Sequence, residues 1–315
     1  GESFRFRWVP ASGPRWEGDS PGAFGLPLEA CAEILTVRGL LPRASELPAC
    51  QIELATAAFH QTGNDGQRVK LGLGSSAAIV VVLTGALLRL AGGPPLPRQE
   101  LIAICCEAHR RLQGGSGSGI DVATAITGGV VAIDFSRQPG PEAGVPRAHP
   151  VSWPRRLRLV AVWSGQSAST PAMLSRLQVF FERDPARFTS HMGRLGANAG
   201  QAVAAWRAED LSGLLSAIAG YESGLRQLDE AAGIGIFSPA HERLRAIALK
   251  HGAVYKPSGA GGGDFGIALT DSRRVEQALR AGYAAAGFSV LDAELCAPGL
   301  SVRGGGTQPG LRRLA

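Results

Sequence analysis

Apolar and polar positions along the chain follow two patterns, one typical of strands and one typical of helices. Alternation predicts a strand at Phe4 to Val9, and apolar positions at helical spacing predict a helix from Pro27 to Leu41, which Gly39 and Pro42 end. The same patterns predict further strands at 51–58, 130–135 and 157–163, and further helices at 79–90, 98–112, 122–126 and 239–251, with several more between 170 and 231. The chain therefore combines α and β structure, without internal repeats.

Turn residues divide these elements. Gly63-Asn64-Asp65-Gly66 is typical of a turn that returns the chain as a hairpin, and residues 253–269 are also hairpin-like. The Pro- and Gly-rich segment Pro139 to Pro154 is interpreted as a linker or a long surface loop.

The composition is that of a folded protein with a large core rather than a membrane or disordered protein. With 315 residues, of which 45% are hydrophobic and 18% charged, the chain can bury a large core, most naturally as two domains. No apolar run approaches the length of a membrane span, and the N-terminus does not resemble a signal peptide. The five cysteines lack metal-ligand spacing, and Cys105 and Cys106 fall in a predicted helix, where core packing is expected. We therefore expect a reduced, cytoplasmic protein that does not bind membranes.

The net charge of +6 favours a small anionic ligand at least as much as nucleic acid. The arginines are scattered and no nucleic-acid-binding module is present, so we expect no nucleic-acid partner. Only three of the 32 basic residues are lysines, and two of them, Lys70 and Lys256, flank glycine-rich segments. This placement indicates a point charge that serves a ligand, although chance placement explains it equally well.

The segment Gly72-Leu73-Gly74-Ser75-Ser76-Ala77-Ala78 describes a tight loop that opens a helix. Glycines allow positive φ and close backbone approach, while the first turn of a helix offers free N–H groups and positive potential to a phosphate. Ser75 and Ser76 either cap this helix or give a hydroxyl to a phosphate or a metal. The loop is not a Walker A sequence, because the Gly-Lys-Ser/Thr ending is absent. From these residues alone, a helix cap and a phosphate cradle remain equally possible.

A second glycine-serine loop, from Gln113 to Gly119, lies just before Asp121, which stands at the start of a predicted helix. Asp121 either caps that helix or faces a substrate hydroxyl or phosphate, which it orients during transfer. A third loop, Ser258 to Gly266, holds five glycines within eight residues. Such a backbone packs closely against a neighbour or moves to cover a ligand, and a long flexible turn is the simpler alternative.

The three segments, in this order, resemble the motifs of the GHMP kinase superfamily. Gly72 to Ala78 resembles its second motif and Ser258 to Gly266 its third. Within the superfamily, Ala108-His109, Gln113-Gly114 and 117–123 resemble the phosphomevalonate kinases, as do Trp163 to Thr170. The resemblance covers recognisable pieces between about residue 45 and about residue 270 and is specific in combination.

This resemblance implies an α+β protein with a ribosomal-protein-S5-like N-terminal domain at 1–155 and a ferredoxin-like C-terminal domain at 156–315. It implies transfer of the γ-phosphoryl group of ATP, with Mg²⁺, to 5-phosphomevalonate. Asp121 is implied as the catalytic carboxylate and Ser76 as a metal ligand. The implied ATP phosphate-binding residues are Gly72, Gly74, Ser75, Ser76, Ala77, Gly259, Gly261, Gly262 and Gly263. The implied substrate-binding residues are Arg110, Ser116, Ser118, Ser167, Ser169 and Thr170.

One departure from the superfamily pattern concerns its first motif, of the Pro-Gly-Lys type, which this sequence does not show. We expect that the sequence omits this strand and turn, and that Lys70 is the catalytic lysine available within it. A degenerate, catalytically silent homologue is the alternative from another class. Mevalonate kinase and mevalonate-diphosphate decarboxylase are the alternative enzymes. Oligomeric state is not indicated by the sequence.

Overall fold

The computed structural model describes residues 5–9, 13–17, 25–41, 50–62, 68–115, 117–135, 143–292 and 297–303. The chain divides into two compact units. The first comprises the described residues of Gly1–Ala55, Gly74–Val151 and Leu295–Ala315, and the second those of Thr56–Leu73 and Ser152–Glu294. No helix among the described residues is both long and apolar enough to cross a membrane.

The first unit is a helical layer with two small antiparallel sheets. Its elements are β1 (Arg5–Val9), β2 (Gly13–Glu17), α1 (Leu26–Val37), α2 (Ser75–Leu90), α3 (Arg98–Leu112), α4 (Ile120–Thr127), β5 (Val130–Phe135) and β6 (Pro146–Val151). The strands pair β1 with β2 and β5 with β6. The four helices bury one common core, in which Ile34, Val80, Ile104 and Val122 are fully inaccessible to solvent. This core fixes the starts of α2 and α4 relative to each other.

The second unit is built on a four-stranded antiparallel sheet in the order β10-β7-β9-β8. Its elements are β3 (His60–Thr62), β4 (Arg68–Lys70), β7 (Arg158–Trp163), α5 (Thr170–Arg183), α6 (Pro185–Arg207), α7 (Leu211–Ala232), α8 (Pro239–Lys250), β8 (Val254–Pro257), β9 (Phe265–Thr270), α9 (Arg273–Ala285) and β10 (Ser289–Leu291). Alternation along β7 sends Val160 and Val162 into a core that includes residues of α8 and α9. Leu159 packs into a separate cluster with residues of α6 and α7.

Most predicted elements are present with similar bounds, and two predictions are wrong. Residues 51–58 do not form a strand; they are irregular and end in a 3₁₀ turn, Ala57–Phe59. Their alternation is not matched by burial, because most of these side chains are exposed and only Ile52 packs against the first core. The strand begins later, at His60, and pairs with β4 as a hairpin whose turn, 63–67, lies outside the described residues.

The second wrong prediction is the linker or surface loop at Pro139 to Pro154. Residues 136–142 lie outside the described part, but Pro146–Val151 is a strand that pairs along its full length with β5, from Val130↔Val151 to Phe135↔Pro146. Proline cannot donate a ladder hydrogen bond, and a two-stranded sheet, which has only edge strands, tolerates this loss. Pairing with β5 therefore gives residues 146–151 an extended conformation, although their prolines locally favour a loop.

Candidate active site

A small apolar cluster in the second unit anchors three of the loops singled out in the sequence. Leu71, Trp163 and Phe265 are buried together, each at most 8% exposed. Leu71 precedes the second-motif loop, Trp163 precedes the 164–170 segment, and Phe265 is the next-to-last residue of the third-motif loop. Three apolar side chains from separate strands or strand ends thus place Gly72, Ser164 and the end of the third-motif loop in one region of the second unit.

Gly72 lies directly against the carboxylate of Asp264. Its φ is +69°, and a Cβ at this position would lie 2.5 Å from Cγ and Oδ1 of Asp264. Asp264 itself has a φ of +54°, which is strained for a residue with a side chain. Its amide donates to the carbonyl of Gln166 at 2.7 Å, and its own carbonyl accepts from the amide of Ser164 at 2.8 Å. These contacts require glycine at position 72 and connect the third motif to the 164–170 segment.

In the first unit, Gly74 and Asp121 lie side by side. Gly74 is the N-cap of α2 with a φ of +71°, and a Cβ there would lie 3.3 Å from the carboxyl group of Asp121. The first intrahelical hydrogen bond of α2 runs from the amide of Ala78 to the carbonyl of Gly74. The preceding amides, including that of Ala77, whose side chain is fully buried, are therefore the N-terminal donors that a helix offers to an anion.

Neither the serines nor Asp121 caps its helix. The N-cap of α2 is Gly74 and the N-cap of α4 is Gly119, and neither makes a side-chain capping hydrogen bond. Asp121 is exposed in the first turn of α4. The simple helix-cap interpretation therefore does not explain why Ser75, Ser76 or Asp121 occupies its position.

The hydroxyl of Ser76 has a partner that sequence reasoning missed. Its Oγ lies 3.0 Å from Nε2 of His109, a residue of α3 whose side chain is buried. If Ser76 donates to the imidazole, the lone pairs of its oxygen can bind a metal; if Nε2 of His109 donates to Ser76, the hydroxyl proton is left to donate to a phosphate oxygen. His109 had a sequence signal, since it stands in the segment that resembles the phosphomevalonate kinases, but nothing in that segment indicated contact with Ser76. Ser75 is buried, so the two serines differ in exposure.

The loop before Asp121 is held by Arg110. Its Nη2 donates to the carbonyl of Gly144 at 2.6 Å and its Nε to that of Gly117 at 3.5 Å. Ser118 accepts a hydrogen bond of 3.4 Å from the amide of Ile120. Both residues therefore support the backbone that leads into α4, while Ser116 lies outside the described residues.

The glycines of the third motif are closely packed rather than loosely arranged. A Cβ at Gly261 would lie 2.7 Å from Ile236, one at Gly262 would lie 3.1 Å from the carbonyl of Gly235, and one at Gly263 would lie 2.8 Å from backbone atoms of 166–168. Gly259 differs, since a Cβ there would meet nothing within 4 Å. Of the alternatives left open by the sequence, close packing against neighbours describes positions 261–263.

The remaining predicted residues lie in the second unit. Ser167, Ser169 and Thr170 are exposed, and Ser169 precedes α5 without a capping hydrogen bond. Lys70 ends β4, and its side chain lies outside the described part of the structure. Lys256 is partly exposed and donates from Nζ to the carbonyl of Pro257 at 2.6 Å, while burial lowers the pKa of its ammonium group to about 8.

The donor groups fit a magnesium nucleotide. Mg²⁺ is usually held by one or two carboxylates together with substrate phosphates rather than by an all-protein cage. The described residues contain no cluster of three or more His, Cys, Asp or Glu side chains of the kind that holds a metal alone. They do contain the exposed Asp121 carboxylate next to Gly74 and the start of α2. An exposed carboxylate beside the amides of a helix start is the kind of ligand that Mg²⁺ takes together with phosphate oxygens.

Comparison with known proteins agrees with this geometry. The chain matches the family described as GHMP kinases N terminal domain over residues 46–129 and the one described as GHMP kinases C terminal over residues 202–287. It is 32% identical over 259 residues to the phosphomevalonate kinase of Streptomyces sp. (strain CL190), a similarity that covers 76% of this chain and 66% of that protein. The chain belongs to the GHMP kinase superfamily. It spans slightly less than two thirds of the length of this relative.

Solved structures show the same fold. A Lin0012 protein from Listeria innocua superposes with a TM-score of 0.71 at 21% identity, over 92% of this chain and 85% of that one. The phosphomevalonate kinase of Streptococcus pneumoniae, in complex with phosphomevalonate and AMPPNP, superposes with a TM-score of 0.65 at 20% identity, over 86% and 81%. The predicted two-domain α+β GHMP kinase fold is therefore confirmed.

Proposed function

We propose that the chain is a phosphomevalonate kinase, which transfers the γ-phosphoryl group of ATP to (R)-5-phosphomevalonate and releases 5-diphosphomevalonate and ADP. The observation that carries a phosphoryl-transfer function is the pair formed by Gly74 and Asp121. A carboxylate beside the amide-rich start of α2 combines a group that orients an acceptor with donors that hold phosphates. The choice of acceptor is supported by the 32% identity to the Streptomyces enzyme.

In the proposed reaction, an oxygen of the acceptor phosphate forms a bond to the γ-phosphorus while the bond to the β–γ bridging oxygen breaks and ADP leaves. The amides at the start of α2 bind the ATP phosphates and stabilise the charge that moves toward the leaving group. Asp121 orients the acceptor, and Ser76, directed by His109, contacts the phosphates or their metal. Mg²⁺, when bound with ATP, supplies charge neutralisation at the phosphates.

The experiment that tests this proposal is an ADP-release assay with four acceptors: mevalonate, 5-phosphomevalonate, 5-diphosphomevalonate and galactose. The full-length native protein is used, so that any first-motif lysine is present. We expect turnover with 5-phosphomevalonate alone. Turnover with mevalonate identifies a mevalonate kinase, and release of CO₂ from 5-diphosphomevalonate identifies a decarboxylase. ADP release with none of the four acceptors contradicts the proposal and favours a catalytically silent homologue.

A further inference from the structure

A buried histidine lies behind the third-motif loop and contacts its backbone. His241, near the start of α8, is fully inaccessible to solvent. Its Nε2 lies 2.9 Å from the carbonyl oxygen of Gly263, and its Nδ1 lies 2.6 Å from the hydroxyl of Tyr255 on β8. The sequence pattern places His241 in a helix of the second unit and gives no reason to connect it with the loop.

The partners of His241 fix its protonation. A carbonyl only accepts, so Nε2 carries the proton that Gly263 receives. Burial lowers the pKa of His241 and raises that of Tyr255, so the imidazole stays neutral and the phenol keeps its proton. Tyr255 therefore donates to Nδ1 and holds the imidazole in the tautomer that donates to Gly263. Tyr255 thus orients His241, and His241 in turn donates a hydrogen bond to the carbonyl of Gly263.

That carbonyl belongs to the peptide that ties the third motif to the 164–170 segment. The Gly263–Asp264 peptide is planar and trans, so its C=O and its N–H point in opposite directions. His241 binds the C=O, and the N–H donates to the carbonyl of Gln166 at 2.7 Å. Rotation of this peptide would break both hydrogen bonds. The hydrogen bond from His241 therefore also keeps the amide of Asp264 in position to donate to the carbonyl of Gln166.

The surrounding packing leaves this peptide little room to adjust. A Cβ at Gly263 would lie 2.8 Å from backbone atoms of 166–168, and the amide of Gly262 donates to the carbonyl of Ile236 at 2.7 Å. A small rotation at Gly263 therefore moves the neighbouring backbone, which leads directly to Ser167, Ser169 and Thr170.

We propose that His241, oriented by Tyr255, is a positioning residue for phosphoryl transfer. It fixes the Gly263–Asp264 peptide and thereby the relative placement of the third-motif glycines and the 166–170 segment. This inference rests on the proposed function for its kinetic consequence, but its structural consequence at Asp264 does not depend on any activity.

The decisive variants are His241→Gln and His241→Asn. The amide nitrogen of glutamine can take the place of Nε2 and donate to Gly263, whereas that of asparagine reaches only the place of Nδ1. In the ADP-release assay we expect His241→Asn to lower kcat by about tenfold or more and His241→Gln to restore most of it. Equal kcat values for the two variants would overturn the proposal.

Tyr255→Phe and Tyr283→Phe separate positioning from stability. Both tyrosines are buried in the same core, and the hydroxyl of Tyr283 donates to the carbonyl of Leu244 at 3.3 Å, away from the loop. We expect both variants to lower the urea midpoint, but only Tyr255→Phe to lower kcat. A kcat loss in Tyr283→Phe as large as that in Tyr255→Phe would show that lost stability alone explains the effect, and would overturn the proposal.

Amide hydrogen exchange at Asp264, followed by NMR, gives a result independent of turnover. We expect this amide to be protected in the wild type and in His241→Gln and to exchange faster in His241→Asn, at matched global stability. If the wild type releases no ADP with any acceptor but this exchange pattern is seen, the proposed function fails and the positioning of the peptide stands. Identical exchange in all three proteins would overturn the inference even if the enzyme is active.

Discussion

Lys256 allows a quantitative prediction of stability, because keeping its ammonium group charged lowers the free energy of unfolding by an amount that depends on pH. It lies on β8, an edge strand of the four-stranded sheet, and burial lowers its pKa from 10.5 to about 8. At roughly 1.4 kcal/mol for each tenfold change in proton affinity, the charged form costs the folded state at most about 3.5 kcal/mol. The true cost is smaller to the extent that the partly exposed side chain is solvated.

The sign follows from proton binding. The folded pKa lies below the unfolded one, so the unfolded chain holds the proton more tightly between about pH 8 and about pH 10.5, and stability rises with pH across this window. Lys256→Met removes the cost. We therefore expect the variant to be more stable than the wild type below about pH 8, and its advantage to shrink by at most about 2.5 kcal/mol between about pH 7 and about pH 10.

The measurement is the free energy of unfolding from urea titrations at a series of pH values, with the slope against urea compared to confirm similar unfolding. Other groups that titrate in this range cancel in the difference between variant and wild type. Lys250→Met is the matched control, because it removes the same charge from an exposed side chain at the end of α8. A Lys256→Met advantage that stays constant or grows as pH rises would refute the reasoning.

Three further predictions concern the candidate site. Asp121→Asn should lower kcat about a thousandfold with little change in the KM for ATP, and near-normal turnover would remove Asp121 from the chemistry. Ser76→Ala should raise the KM for ATP by about tenfold, the equivalent of one charge-assisted hydrogen bond, and unchanged kinetics would exclude the contact. Gly72→Ala should lower the free energy of unfolding by about 1–3 kcal/mol, because the new Cβ overlaps Asp264, while Gly259→Ala, which meets only backbone strain, should cost less. Equal losses in urea titrations would contradict the overlap.

Local patterns predicted the elements well where burial follows sequence period. The helix 98–112 has the predicted bounds because its apolar positions face one core, and the strand 130–135 has them because it pairs along its full length with β6. The strand predicted at 51–58 failed, since alternation without a neighbouring strand does not bury a face. The strand at 146–151 was missed for the opposite reason: pairing with β5 overrides two prolines that locally favour a loop.

The sequence likewise indicated some features of the candidate site and not others. Glycines at positions 72, 74 and 119 could be recognised as backbone requirements from the sequence, and each has positive φ in the structure. Their neighbours could not be predicted, because contacts such as those between Gly74 and Asp121, or between Ser76 and His109, join residues that are distant in the chain. A loop composition specifies which conformations are accessible, and it does not specify what the loop meets.

The sequence by itself determined most of the helices and the three glycine-rich motifs, because backbone freedom and hydrophobic period are local properties. The resemblance of these motifs, taken together, indicated membership of the GHMP kinase superfamily. Only the tertiary structure decided that neither the serines nor Asp121 acts as a helix cap, and that Leu71, Trp163 and Phe265 are buried together in one cluster. It also decided that His241 and Tyr255 bind the third motif from behind. These are consequences of packing between strands and helices that the chain connects only through long segments.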